Sequence, residues 1–195
     1  MSSVLHSIRD PAGASRRDQI LAAAARLFAE RGFHGVTIEG LGEAVGVTGP
    51  AVYKHFASKD AVLGELLVGV SESLLEGATA VVARSPRADA ALEGLVAFHT
   101  EFALVGADLI RVQDRDLANL SPPSARRVRA LQRAYLELWV AALRRVQPGL
   151  GAAEARVRAH AAFGLLNSTS HSAPGGDGTP VASLLARMAL RALES

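Results

Sequence analysis

Tyr53, Lys54, His55 and Lys59 fall within a stretch of seven residues. A phenol, an imidazole and two ammonium groups around one helix end are suited to phosphate oxygens and to the edges of bases. They sit in VTGPAVYKHFASKD, Val47 to Asp60, which reads as a short helix although Gly49 and Pro50 stand at its head. Thr48 makes the N-cap, Gly49 the first helical residue and Pro50 the second, where the N–H that proline lacks has no intrahelical partner anyway. Val47 and Val52 can close a hydrophobic staple over that start. With Val52 and Phe56 turned inward, Pro50 and Lys54 face out and Tyr53 and His55 flank them. Lys59 lies in the first turn of the following helix, where the helix dipole disfavours a cation, and a bound phosphate would resolve that conflict. Taken singly, Tyr53 also reads as a packing residue with a wet hydroxyl, and Lys54 and Lys59 as solvated lysines. Only the cluster points to an anionic partner.

The elements that must position this cluster are helical. Ser15, supported by Asp18, caps a first helix with Ile20, Ala24, Leu27 and Phe28 at helical spacing, and Gly32 stops it. Thr37 caps a second helix carrying Ile38, Leu41 and Val45, and Gly46 turns the chain into the short third one, giving a helix-turn-helix pattern. Ser58 caps a longer helix with Val62, Leu63, Leu66, Val70, Leu74 and Val81, expected to run to about Ala83. Beyond it, ARSPR, LSPPS, QPGLG and APGGDGTP are loops between further helices, one with Val128, Leu131, Tyr135, Leu138, Ala142 and Val146 on a single face. No segment reads as a strand. The expected organisation is all-α: an arm over residues 1–14, a three-helix helix-turn-helix domain over 15–58, and a helical bundle over 59–195 reached through the long helix.

The chain has 195 residues, 49% of them apolar, enough to bury a substantial core. A net charge of +2 does not by itself imply a nucleic-acid partner, so the arrangement of the cations has to carry that reading. The absence of cysteine removes disulfides and thiolate chemistry. No run of about 18 apolar residues appears and the N-terminus lacks a signal-like core, so no membrane partner and a cytoplasmic location are expected. GxSxG, HExxH, P-loop and dinucleotide fingerprints are missing, so no enzyme activity, cofactor or metal is expected.

The segment ILAAAARLFAERGFHGVTIEGLGEAVGVTGPAVYKHFASKDAVL, about a quarter of the chain, resembles the N-terminal domain of the TetR/AcrR family of bacterial repressors. The match lies in the Leu-Phe-Ala-Glu-x-Gly-Phe end of the first helix, the Thr37 start of the second, Gly46-Val47-Thr48 at the turn, and Tyr53-x-His55-Phe56-x-Ser58-Lys59-Asp60. The resemblance implies an all-helical homodimer that binds a palindromic double-stranded DNA operator and releases it when a small effector enters the C-terminal domain. It places Thr37, Thr48, Tyr53, Lys54, His55 and Lys59 at DNA. Many members have Gly where Pro50 stands, so a base contact through that N–H is lost, and Ala51 offers only a methyl to thymine. Gly49, Pro50 and Ala51 would then serve close approach and readout of DNA shape.

In the C-terminal part, Phe98, Phe102, Tyr135, Trp139 and Phe163 read either as core or as the lining of a cavity for a mostly apolar or amphipathic effector, expected between Phe102 and Trp139. Asn167 and His171 could meet a polar group of that effector. Glu101, Asp108 and Glu137 would favour a cation if buried. Arg126, Arg127, Arg129 and Arg133 read as a solvated face, and Arg111 and Arg115 as surface partners of Asp114 and Asp116. Two apolar stripes suit a four-helix dimer interface: Ala162, Phe163 and Leu166, and Leu184, Leu185, Met188 and Leu193. The alternatives are a dimeric DNA-binding protein without an effector, and an enzyme on a helical scaffold.

Overall fold

The computed structural model describes residues 13–168 and 180–195. Among the described residues there are nine α-helices and no strand: α1 (Arg16–Arg31), α2 (Ile38–Ala44), α3 (Gly49–Tyr53), α4 (Lys59–Arg84), α5 (Ala88–Val105), α6 (Ala107–Asp116), α7 (Pro122–Val146), α8 (Ala152–Asn167) and α9 (Val181–Glu194). A 3₁₀ turn, Leu117–Asn119, follows α6.

The helix starts follow from short side chains at the expected positions. Ser15 Oγ accepts from the Asp18 N–H at 3.2 Å, Thr37 Oγ1 from Gly40 at 3.1 Å and Ser58 Oγ from Ala61 at 3.1 Å, each satisfying one orphan donor of a first turn. Thr48 differs: it stands at the N-cap of α3, but its side chain makes no cap hydrogen bond, and its carbonyl accepts from Ala51 and Val52 at 2.9 and 3.3 Å. Proline in the first turn leaves one donor fewer to cap.

Two glycines shape the turn between α2 and α3. Gly46 has φ +70°, a left-handed conformation that costs a side-chain-bearing residue more. Gly42 is buried in α2 and its carbonyl accepts from Val47 N–H at 2.9 Å. A Cβ there would lie 2.7 Å from the Val47 oxygen.

The chain forms two compact units, each drawn from separate stretches: residues to Ser73 together with Asp108–Ala130, and Leu74–Ala107 together with residues from Leu131 onward. A boundary at residue 58 is therefore not where the packing divides, and Asp108–Ala130, expected in the C-terminal bundle, belongs with the helix-turn-helix. In the first unit Ile20, Phe28, Leu41, Val52, Phe56, Leu63 and Leu66 are buried. By length and composition α4 could cross a membrane. Its apolar load has another explanation, since Val62, Leu63, Leu66, Leu67 and Val70 are core residues and Glu65, Glu72 and Glu76 interrupt the helix. In the second unit α9 packs on α5 and α8, and α5 on α8, around a core that includes Leu92, Leu95, Trp139 and Leu143. Ala155, Ala159 and Ala162 are fully buried on α8, where small side chains allow close helix approach.

Gly42→Ala should force backbone atoms of the turn apart and lower stability by about 1–3 kcal/mol, the usual cost of overpacking. A melting curve showing no loss would mean that the turn yields without strain.

Candidate functional site

The surface of α2 and α3 is built from the inside out. Val52 and Phe56 are buried, and Phe56 lies under the Arg17 guanidinium at 4.9 Å from the ring centroid. That anchoring turns the intervening residues outward. Thr37, Thr48, Pro50, Tyr53, Lys54 and His55 are all exposed, Tyr53 by 53%, a large value for an aromatic ring. Ala51 is half-buried. Gly49 departs from the expected role, because it is buried and faces α2. A Cβ there would come 3.4 Å from Cγ of Glu39, an ordinary van der Waals contact, so the position packs against α2.

Lys59 departs as well. Its ammonium group donates to the carbonyls of Phe33 at 2.8 Å and Val36 at 2.7 Å and sits 4.3 Å from the Phe33 ring centroid. The cation in the first turn of α4 is thus stabilised by the chain's own carbonyl oxygens, and no phosphate is needed to explain it. Two other cations act in the same way. The Arg115 guanidinium donates to Phe28 O, which also accepts from Gly32 N–H at 2.9 Å, and, at 3.3 Å, to Ala29 O, both in the last turn of α1. Arg16 donates to Val45 O, the C-cap of α2, at 2.9 Å. Asp116, expected at the surface, is buried: its Oδ1 accepts from Phe33 N–H and from Asn119 Nδ2, both at 3.3 Å. His34 Nε2 meets Asn119 Oδ1 at 3.1 Å. The loop from Gly32 to Val36 is therefore held from α4 on one side and from α6 and the turn after it on the other. Contacts across more than eighty residues of sequence carry no local signal.

The second unit gathers most of the aromatic residues expected at a ligand. Tyr135, Trp139 and Phe163 lie with ring centroids 4.9–6.3 Å apart. At their centre is His99, a residue the sequence reading missed. Its ring lies 5.8 Å from Phe102 and 5.9 Å from Trp139, so the position expected for an effector between those two is occupied by an imidazole. His99 Nδ1 is 2.9 Å from the Tyr135 hydroxyl and Nε2 is 3.1 Å from Asn167 Oδ1. With the Asn167 oxygen as acceptor, Nε2 carries the proton and Nδ1 accepts from Tyr135. Burial pulls the His99 pKa down to about 4, the Asn167 hydrogen bond opposing it, and burial likewise pushes the Tyr135 hydroxyl up. The cluster is neutral. Phe98 is apart from it: a Cβ on Gly77 would lie 2.3 Å from the Phe98 ring, which packs there. His171 lies outside the described residues. Glu101 is exposed, and Asp108 and Glu137 pair with Arg111 and Arg156 near the surface, so none of the three marks a cation cavity. A groove of about 630 Å³ lies in the first unit, lined by Arg17, Ser58, Asp60, Glu65, Glu72 and Ser124 among others, and it is charged, not aromatic.

The expected dimer stripes divide on burial. Ala162, Leu166 and Leu193 are fully buried in their own core and Leu185 nearly so, which removes them from an interface, while Phe163 is half-buried. Leu184 and Met188 are exposed by 40% and 47%, and Val157 on α8, not foreseen, by 67%.

A helix-turn-helix with hydroxyl, imidazole and ammonium groups exposed on and just after its third helix, with no strand among the described residues, has the form of a DNA-binding module. Residues 20–66 match the family described as bacterial regulatory proteins, tetR family, and residues 85–193 match the tetracyclin repressor-like C-terminal domain. The chain belongs to the TetR family. It is 38% identical over 88 residues to the HTH-type transcriptional repressor KstR2 of Rhodococcus jostii, covering 45% of this chain and 43% of that protein. It is 29% identical over 129 residues to KstR2 of Mycobacterium tuberculosis, covering 65% and 64%. The matched part thus spans less than two thirds of these relatives. A TetR-family transcriptional regulator from Bordetella parapertussis superposes with a TM-score of 0.82 at 26% identity, over 91% of this chain and 93% of that one.

The His99 pKa predicts how the second unit responds to acid. It is about 4 when folded against 6.5 ordinarily, so between those values the unfolded chain binds a proton that the folded chain does not. The stability from a neutral His99 is therefore complete above pH 6.5 and lost as pH falls towards 4. In total it amounts to about 3 kcal/mol. Urea midpoints at about pH 7 and about pH 4.5 should differ more in the wild type than in His99→Asn; equal differences would exclude His99 as the source.

Proposed function

We propose that the protein is a cytoplasmic, ligand-responsive transcriptional repressor that binds a palindromic DNA operator as a homodimer and is released by a small molecule held in its second unit. The observation that carries DNA binding is the outward set Thr37 at the start of α2 and Thr48, Pro50, Tyr53, Lys54 and His55 on and around α3, which is anchored by the buried Val52 and Phe56. Lys54 and the hydroxyls serve the phosphates, Tyr53 and His55 reach phosphate or base edges, and Pro50 and the half-buried Ala51 give an apolar, donor-poor tip that leans on DNA shape. The names of the KstR2 relatives support repression as the sign of the regulation.

Dimerisation uses the apolar surface left outside the core, Val157 on α8 with Leu184 and Met188 on α9. A twofold dimer places its recognition helices about 34 Å apart, the spacing of successive major-groove turns. Release requires little energy: a tenfold loss of DNA affinity follows from about 1.4 kcal/mol of effector preference for the DNA-free form, and DNA must weaken effector binding by the same factor. The imidazole between Phe102 and Trp139 favours a second reading, a dimeric DNA-binding protein whose second unit serves assembly alone. Failure of a broad ligand screen to displace the protein from DNA would establish it.

On a duplex selected from a random pool, Lys54→Ala should lower the slope of log affinity against log salt by about 0.9, the signature of one lost phosphate contact. Lys59→Ala should instead lower the melting temperature and leave the slope as it is, because its ammonium serves carbonyls. A slope unchanged in Lys54→Ala takes that residue out of the interface; a slope that falls in Lys59→Ala puts Lys59 back in it.

Met188→Asp should abolish the dimer in sedimentation by burying an unpaired charge, with the monomer still folded by circular dichroism. A dimer that survives places the interface elsewhere.

A further inference from the structure

We infer that the effector is an uncharged, ring-bearing molecule that offers a carbonyl or hydroxyl oxygen to the indole Nε1–H of Trp139, in a seat that the Phe163 ring fills when no effector is bound. This rests on the ligand-responsive reading above and names the chemistry of its site.

The first observation is an unpartnered donor. Trp139 is fully buried and its Nε1–H has no hydrogen-bond partner, although an indole N–H can only donate and its burial without an acceptor is costly. The Tyr135 hydroxyl is near enough for the indole to lower its pKa against the effect of burial, yet the contact falls outside hydrogen-bond geometry. Tyr135 gives its proton to His99 and His99 gives its own to Asn167, and the lone pairs left on the Tyr135 oxygen do not meet the indole in hydrogen-bond geometry. An oxygen arriving with a ligand would give the indole the acceptor it lacks.

The second observation concerns Phe163. It is only half-buried, whereas His99, Phe102, Tyr135 and Trp139 are buried. Its ring stacks on His99 at 5.0 Å and 29°, lies 5.6 Å from Tyr135, and meets Trp139 edge-on at 4.9 Å and 83°. It therefore occupies a flat slot walled by three rings, and a phenyl group has no polar anchor to keep it there. Rotation of this one side chain opens a space of the shape a planar ligand ring requires, with the Trp139 indole as one of its walls.

The third is the charge of the surroundings. His99, Tyr135, Phe163 and Asn167 are neutral, so a carboxylate or ammonium entering the slot would lose its hydration with no opposite charge to replace it. A neutral oxygen loses less and gains the indole.

The test is calorimetric titration of the full chain with three probes of similar size: α-tetralone, its oxygen-free parent tetralin, and α-naphthoate. Phe163→Ala, which empties the slot, should bind α-tetralone more tightly than the wild type does. It should prefer α-tetralone to tetralin by about tenfold, as one buried hydrogen bond gained, and it should not bind α-naphthoate. Phe163→Leu keeps more of the core and should rank the probes the same way if the alanine variant is poorly folded. Adding Trp139→Phe retains the aromatic bulk and removes the donor. It should erase the preference for the ketone while leaving tetralin binding intact, whereas a merely structural role for Trp139 would weaken both. Equal affinity for α-tetralone and tetralin in the emptied slot, or preference for the carboxylate, overturns the inference. DNA retention on the selected duplex separates this from the broader reading. Probe ranking as expected with no effect on DNA upholds the seat and removes the ligand response. Release from DNA by a ligand that binds Trp139→Phe undiminished keeps the response and removes the seat.

Discussion

Position in the first unit depends on how the carbonyl oxygens at the end of α1 and in the loop after it are satisfied. A helix leaves its last carbonyls without intrahelical partners, and burying them unpaired is expensive. Here Arg115 donates to Ala29 O and adds a second donor to Phe28 O beside the Gly32 N–H, Lys59 donates to Val36 O and adds to Phe33 O, and the buried Asp116 takes the Phe33 N–H. Each of these groups comes from a helix far along the chain. Because α2 begins directly after this loop at Thr37, the same contacts set where α2 and α3 emerge. The exposed surface of α2 and α3 is thus positioned by cations bound to backbone oxygens.

This division of labour explains why the basic residues of the unit do not all face outward. Arg16, Lys59 and Arg115 answer backbone oxygens, Arg17 and Arg127 answer Glu65 and Glu72, and Lys54 stands exposed beside Tyr53 and His55. A cation held by two carbonyls and an aromatic face has far less freedom than a solvated lysine. Such a group helps to fix the loop that precedes α2.

The second unit rests on the opposite arrangement, a polar chain inside an apolar core. Tyr135, His99 and Asn167 satisfy one another at 2.9 and 3.1 Å, and the rings of Phe102, Trp139 and Phe163 pack around His99. Low local polarity keeps His99 neutral and strengthens the hydrogen bonds it makes. The same low polarity makes the Trp139 N–H conspicuous, since a donor without an acceptor is tolerated at a surface and not in such a place.

Much of the architecture was legible from local chemistry. The caps Ser15, Thr37 and Ser58, the stops Gly32 and Gly46 and the two-residue entry Gly49-Pro50 act over three or four residues, so the sequence by itself determined the first helices, their turn and the outward placement of Tyr53, Lys54 and His55. Tertiary structure alone decided the rest. It committed Lys59 to carbonyls, buried Asp116 and put His99 at the centre of the aromatic residues, because each of those outcomes depends on a partner more than twenty residues away, and it turned Gly49 toward Glu39 on the preceding helix. It also sorted the apolar stripes: on a helix with apolar residues on more than one face, periodicity cannot tell Leu185 in the core from Leu184 and Met188 outside it, and only the packing of α9 against α5 and α8 makes that choice.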